Sequence, residues 1–156
     1  KDITVVFDQW VKNWAPAEAQ KLMEQALTRN DNKVDAVLAP NDGTASGCIQ
    51  ALAAQGLAGK VTVTGQDAEL AAAIRIVKGE QSMTIYKDTR ALGTAAIAAA
   101  LDLLAGRMPA GRTGAMPNGR IDVPAILLPS VVVEKANLDA ALIDSGYLKR
   151  AEIYRN

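Results

Sequence analysis

Four pairs of residues in this chain carry side chains able to recognise a polar ligand: Trp10 and Trp14, Asn41 and Asp42, Gln66 and Asp67, Lys87 and Asp88. Tryptophan offers a flat apolar face with one N–H, which can stack on the C–H face of a pyranose ring. Asparagine donates and accepts, aspartate accepts, and lysine donates and brings charge. Together they suit a small polyol, whose hydroxyls each donate and accept. Each residue also has a plainer reading. Trp10 reads first as a packing residue, and Trp14, just before a helix, is open between packing and stacking. Asn41 is open between turn former and ligand, and Lys87 between solvated surface lysine and ligand. Asp42 reads first as a helix cap, and Asp67 and Asp88 could serve as caps too. If Asp67 is buried it must be paired or hydrogen-bonded, and Lys87 is the expected partner.

What brings these pairs together is the alternation of elements around them. Residues 3–7 (ITVVF), 34–39, 61–64 and 82–86 read as short β-branched strands without polar alternation. Between them lie helical patterns. Pro16 opens the first, with Ala19, Leu22, Met23, Ala26 and Leu27 on one face. Ala45, Cys48, Ile49, Leu52 and Ala53 stripe the second, and Leu70, Ala73, Ile74 and Val77 the third. The third should stop at Lys78-Gly79, a cation followed by a glycine. A longer helix is expected over 91–105. Strands and helices alternating this way predict an α/β domain with a mostly parallel sheet covered on both faces. In such sheets ligands bind beyond the carboxyl ends of the strands, where all four pairs stand. Residues 107–124, with three prolines, read as an irregular loop. Residues 126–128 and 131–133 read as strands, and the broken pattern at Pro129 is open between a sheet-edge irregularity and a segment crossing between lobes. A short helix capped near Asn137 should bury Leu138, Ala141 and Leu142. A polar tail follows.

Composition narrows the function classes. Lys plus Arg and Asp plus Glu are 17 each, and no basic block appears, so nucleic acid and anionic membranes are not expected partners. No apolar run approaches a membrane span. The chain has no histidine, which removes Ser-His-Asp and Cys-His catalysis and histidine-ligated metals. Its one cysteine, Cys48, reads as a small buried hydrophobe. No phosphate-binding GxxxxGK[ST] loop is present, and the glycines at Gly43 and Gly47 lack the dinucleotide pattern. Asp42 with Lys87 fits a phospho-acceptor switch poorly, since only Asp8 adds an acid at the first strand end. The expectation is a binding protein, not an enzyme, with no cofactor.

Several of these stretches recur together in one family. Residues 8–16 (DQWVKNWAP), 35–44 (DAVLAPNDGT), 65–67 (GQD) and 84–87 (TIYK) resemble the periplasmic sugar-binding proteins of ABC importers, of the ribose/galactose type. Asn118-Gly119, Asp122-Val123-Pro124 and residues 128–133 fit the same resemblance, which covers essentially the whole chain. It implies a type I periplasmic-binding-protein fold, a three-layer sandwich with a mostly parallel sheet, present here as a partial two-lobed architecture. Residues 1–88 would belong to the second lobe, 89–129 to the first, and 130–156 would return to the second. The resemblance assigns Trp14 to stacking on the sugar and Asn41, Asp67 and Lys87 to its hydroxyls. It points to a monosaccharide, D-xylose above all, delivered to ABC permease subunits from the periplasm or cell exterior, with a lipid anchor upstream as one arrangement. The same scaffold serves as the sugar sensor of transcriptional regulators and of membrane histidine-kinase systems. Family members are much longer, so this chain is expected to be a fragment, a cleaved chain or half of a split pair, needing a complementary chain for a full cleft.

Overall fold

Helix signals in the sequence translate directly into structure. The computed structural model describes residues 3–154. Pro16 begins helix α1 (Pro16–Arg29), which buries Ala19, Met23, Ala26 and Leu27. Helix α2 (Asp42–Ala54) buries Ala45, Ile49 and Leu52. Helix α3 (Leu70–Lys78) ends with Gly79 at φ 80°, the left-handed cap that glycine takes without a Cβ clash. Of the expected inward residues, Ala73 is buried and Leu70 and Val77 pack half-buried against the same cluster, while Ala72 and Ile76 join them in place of Ile74. The remaining helices are α4 (Thr89–Leu104) and α5 (Arg150–Ile153).

The chain divides into two units, Lys1–Tyr86 with Val132–Asn156, and Lys87–Val131. In the first unit, α1 and α2 pack with strands β1 (Ala36–Val37) and β2 (Thr62–Val63) around Met23, Leu27, Ile49, Leu52 and Val63. A second cluster joins α3 to β3 (Thr84–Tyr86) and the C-terminal elements through Ile76, Tyr86, Val133, Leu138, Leu142 and Ile153. The tail is therefore not merely polar. Tyr147 lies against Tyr86 with ring centroids 4.6 Å apart, and Asp139 accepts from Tyr154 Oη at 2.7 Å. The helix expected after Asn137 is a π-helical turn, Asp139–Ile143. Asn137 does not cap it: its side chain links the Glu134 N–H to the Val132 carbonyl.

The second unit holds α4 and a hairpin of β4 (Gly114–Pro117) and β5 (Asp122–Ala125). Asp88 caps α4 by accepting from the Arg90 N–H at 3.0 Å. The hairpin replaces the irregular loop expected there. Asn118 Oδ1 accepts from the N–H groups of Arg120 and Ile121, and Gly119 takes φ 80°, so the Asn-Gly pair makes the turn.

Strand pairing corrects the expected fold class. The sheet is not mostly parallel. The strands form three two-stranded sheets, and only β1–β2 is parallel, with Ala36 opposite Thr62. The β4–β5 pair and the pairing of β3 with β6 (Val131–Val133) are antiparallel. A tight turn can only join antiparallel strands, and β6 arrives after the second unit, not through a helix packed on its own sheet. Nor do residues 3–7 form the expected first strand. Ile3 is 92% exposed, and nothing among the described residues pairs with the run. An apolar β-branched stretch becomes a strand only when a neighbour takes its N–H and C=O groups. Residues 126–128 likewise form no strand, the Leu127 N–H donating instead to the Thr113 hydroxyl at 2.9 Å.

The close approach of α1 to α2 rests on Gly47. A Cβ there would lie 2.0 Å from the Pro16 carbonyl oxygen and 2.9 Å from the Gln20 nitrogen. Gly47→Ala should therefore push the start of α1 away and destabilise the chain by about 1–3 kcal/mol, the usual cost of overpacking. Urea denaturation would read this as a lower midpoint, and an unchanged midpoint would refute the contact.

Candidate functional site

Trp14, Asn41 and Asp67 stand at or just before the starts of α1, α2 and α3. Trp14 closes a 3-10 turn, Lys12–Trp14, in which Asn13 and Trp14 both have φ 56°. This left-handed pair is held by hydrogen bonds from Trp14 N–H to Val11 O and from Ala15 N–H to Lys12 O, each 3.2 Å. The indole is 59% exposed, so Trp14 is not a packing residue. Trp10 is 98% exposed, which overturns its reading as a packing residue too. Pro16 lies beside the start of α2, its Cγ 3.9 Å from the Cβ position of Gly43, which sets the α1 and α2 entries side by side.

Asn41, not Asp42, caps α2. Its Oδ1 accepts from the Thr44 N–H at 2.9 Å and the Thr44 hydroxyl at 2.6 Å, closing a capping box. Its Nδ2 makes no hydrogen bond to the described residues and is available as a donor. Asn41 is therefore a cap with half its amide in reserve.

Asp42 does something the sequence reading missed. Its side chain is fully buried. Oδ1 accepts from Gln81 Nε2 at 2.8 Å, and Oδ2 from the Thr84 hydroxyl at 2.9 Å and the Glu69 N–H at 3.0 Å. That last bond satisfies the start of α3, which has no side-chain cap of its own. The Asp42 backbone N–H donates to Gln66 O at 2.9 Å, and its carbonyl accepts from Arg75 Nη2 at 3.0 Å. Arg75 Nε in turn holds Gln81 Oε1 at 2.9 Å. Gly65 makes room: a Cβ there would lie 2.1 Å from Asp42 Oδ1. The sequence signal was present, since Asn41 with Thr44 at the third helical position is the better capping pair and frees Asp42 for another task.

Asp67 sits on another left-handed segment, φ 102° at Asp67 and 53° at Ala68. The Asp67 N–H donates to Ile85 O at 2.9 Å and the Ala68 N–H to Thr84 Oγ1 at 3.2 Å. Asp67 does not cap α3, whose N-cap position is Glu69. Three of the four candidate residues thus belong to the first unit, with Asn41 and Asp67 tied through Asp42. Lys87 is the first residue of the second unit.

Two other groups are accounted for. The Cys48 thiol faces the Ala19 carbonyl at 4.0 Å, and burial pushes it up to about 11. Among the described residues no group of His, Cys, Asp and Glu could hold a metal ion.

Burial holds the Asp42 carboxyl above its ordinary value of 3.8, against the opposing pull of the Glu69 N–H, Gln81, Thr84 and the Arg75 charge. Between the ordinary and the raised value the folded chain keeps a proton that the unfolded chain releases. This contribution to stability is complete below the ordinary value and is lost as pH rises through the folded one. Asp42→Asn keeps the shape, points an amide at a donor, and should cost about 1–3 kcal/mol near neutral pH. Its deficit relative to wild type should shrink as pH rises from about 4. Urea titrations across that range would check both points, and a pH-independent difference would contradict the second.

Comparison with known proteins agrees with this architecture. Residues 1–108 match the family described as the periplasmic binding protein domain. The D-xylose-binding periplasmic protein of Escherichia coli K12 is 49% identical over 97% of this chain, and the multiple sugar-binding periplasmic receptor ChvE of Rhizobium radiobacter is 37% identical over 90%. A carbohydrate-transporter solute-binding protein from Chloroflexus aurantiacus, solved in complex with D-glucose, superposes with a TM-score of 0.82 at 45% identity, covering 90% of this chain and 42% of that one. The chain spans about half the length of the curated relatives it matches, 46% of the Escherichia coli protein and 42% of the Rhizobium one. With the match running through all three helix entries and beyond α4, this chain belongs to the periplasmic binding protein family.

Proposed function

We propose that this chain forms one wall of a sugar-binding cleft whose protein delivers a monosaccharide, D-xylose foremost, to an ABC-type importer in the periplasm. The observation that carries the reading is that Trp14 and Asp67, each on a left-handed segment, stand at helix entries, with Asn41, the cap of α2, between them in sequence. An exposed indole offers a face for the pyranose C–H groups. The Asn41 amide hydrogens and the Asp67 carboxylate offer a donor and an acceptor for hydroxyls. Lys87 is proposed, on the family resemblance, as a further donor to the sugar. The likeness to a D-xylose-binding protein and to a D-glucose complex supports a pyranose as the ligand class.

The opposite wall comes from a complementary segment, on the same chain or another. Two observations support this. The chain matches less than half the length of its relatives. Helix α4 buries no residue, and a groove of about 510 Å³ in the second unit is lined by Leu92, Ala96, Leu103, Val123, Ile126 and Leu128. In this reading residues 1–88 and 130–156 belong to one lobe and 89–129 to the other, and the division of the chain after Tyr86 and Val131 supports it. A membrane tether such as a lipid anchor would lie outside the described residues, none of whose helices is long and apolar enough to cross a membrane.

Calorimetry with D-xylose and D-glucose tests the proposal. A two-lobed form, made by joining this chain to the matching first part of the Escherichia coli relative, should bind D-xylose more tightly than D-glucose. Trp14→Ala or Asp67→Ala should weaken binding about tenfold to a hundredfold, as lost stacking or an unpaired hydroxyl would. Unchanged affinity in both variants would refute the residue assignment. Equal affinity of the chain alone and of the two-lobed form would refute the complementary wall.

A further inference from the structure

We propose that the buried Asp42–Gln81–Thr84 network is a positioning device that holds Asp67–Ala68 in its left-handed conformation and so sets the Asp67 side chain relative to Asn41. The proposal rests on the binding reading above for its consequence, but its geometry stands apart from it.

Left-handed backbone at a residue other than glycine is unfavourable, and two such residues in succession require something to hold them. The structure identifies what does. The Thr84 hydroxyl is used twice: it accepts from the Ala68 N–H at 3.2 Å and donates to Asp42 Oδ2 at 2.9 Å. Asp42 can fix the orientation of that hydroxyl because Gln81 and the Glu69 N–H fix the carboxylate in turn. Arg75 then locks Gln81, so its amide must present Nε2 to Asp42. The chain of dependence runs Arg75, Gln81, Asp42, Thr84, Ala68. One bond also runs from the Asp67 N–H directly to Ile85 O in β3, the strand that carries Thr84.

The other end of the network reaches Asn41. Asp42 is the residue next to it in sequence, and the Asp42 N–H is bonded to Gln66 O, next to Asp67. The two loops also touch directly, Gln66 Nε2 donating to the Pro40 carbonyl at 3.3 Å, and the buried carboxylate adds to that contact the link through Thr84 to Ala68. Thr84, Gln81 and Asp42 are all fully or almost fully buried, so none can touch a ligand; they act only through Asn41 and Asp67.

Thr84→Val tests this, since it keeps the shape and removes the hydroxyl. In the 156-residue chain, amide exchange at Asp67 and Ala68 should quicken about tenfold or more, the loss of one hydrogen bond, while amides in α1 and the middle of α2 keep their rates. Thr84→Ser, which keeps the hydroxyl, should restore slow exchange. Adding Ala68→Gly to Thr84→Val should restore the Asp67 amide as well, because glycine takes the left-handed conformation without help. A merely structural role for Thr84 would speed exchange throughout the unit and would not be rescued by glycine, and that outcome would overturn the proposal. In the two-lobed form the same variants should lose and regain D-xylose affinity in parallel. If wild type fails to bind D-xylose, the sugar reading fails and the exchange pattern still decides the positioning role. If binding is normal in Thr84→Val although exchange is fast, the link from backbone to ligand is overturned.

Discussion

A carboxylate taken out of water must have its lone pairs filled, and much of the first unit is arranged to do that for Asp42. Its five hydrogen bonds on side chain and backbone reach α3 at Glu69 and Arg75, the β2–α3 loop at Gln66, and β3 with its approach at Gln81 and Thr84. An unfilled position on such a group would cost several kcal/mol, so these segments cannot shift independently. The loops that carry Asn41 and Asp67 inherit this rigidity. Gly65 belongs to the same constraint, because no side chain fits between it and the carboxylate.

The second organising theme is strain. Asn13, Trp14, Asp67 and Ala68 hold left-handed backbone, as do Asp31 and Asn32 after α1, at a cost of order 1–3 kcal/mol each. Two of these residues, Trp14 and Asp67, are proposed sugar contacts. A site built this way has its loops shaped before the ligand arrives, so less ordering entropy is lost on binding. The helix entries then differ in mechanism. The α2 entry is fixed locally by the Asn41–Thr44 capping box, while the α3 entry is fixed from a distance by Asp42.

What could be read in the sequence follows the reach of each interaction. Pro16, the Lys78-Gly79 stop and the apolar stripes of α1 and α2 act within one or two helical turns, and the helices appear where those signals stand. The cluster of candidate residues at helix entries was legible for the same reason. Asp42's role was not, since its partners lie 27, 39 and 42 positions away. The expected parallel sheet failed because pairing direction depends on where the chain goes between strands, and here it leaves for a second unit before β6. The hairpin had a local signal in Asn118-Gly119, outweighed in reading by the three prolines around it. Residues 3–7 carry every composition mark of a strand and lack only the neighbour that would make them one.

Cys48 offers an unexpected convenience. It is the chain's only thiol, and with its pKa pushed up to about 11 almost none of it is thiolate at neutral pH. Alkylating reagents, which need the thiolate, should leave it largely untouched. A cysteine introduced at an exposed position beside the candidate site would then be the one that takes a dye or spin label, with the native residue left in place as a silent background.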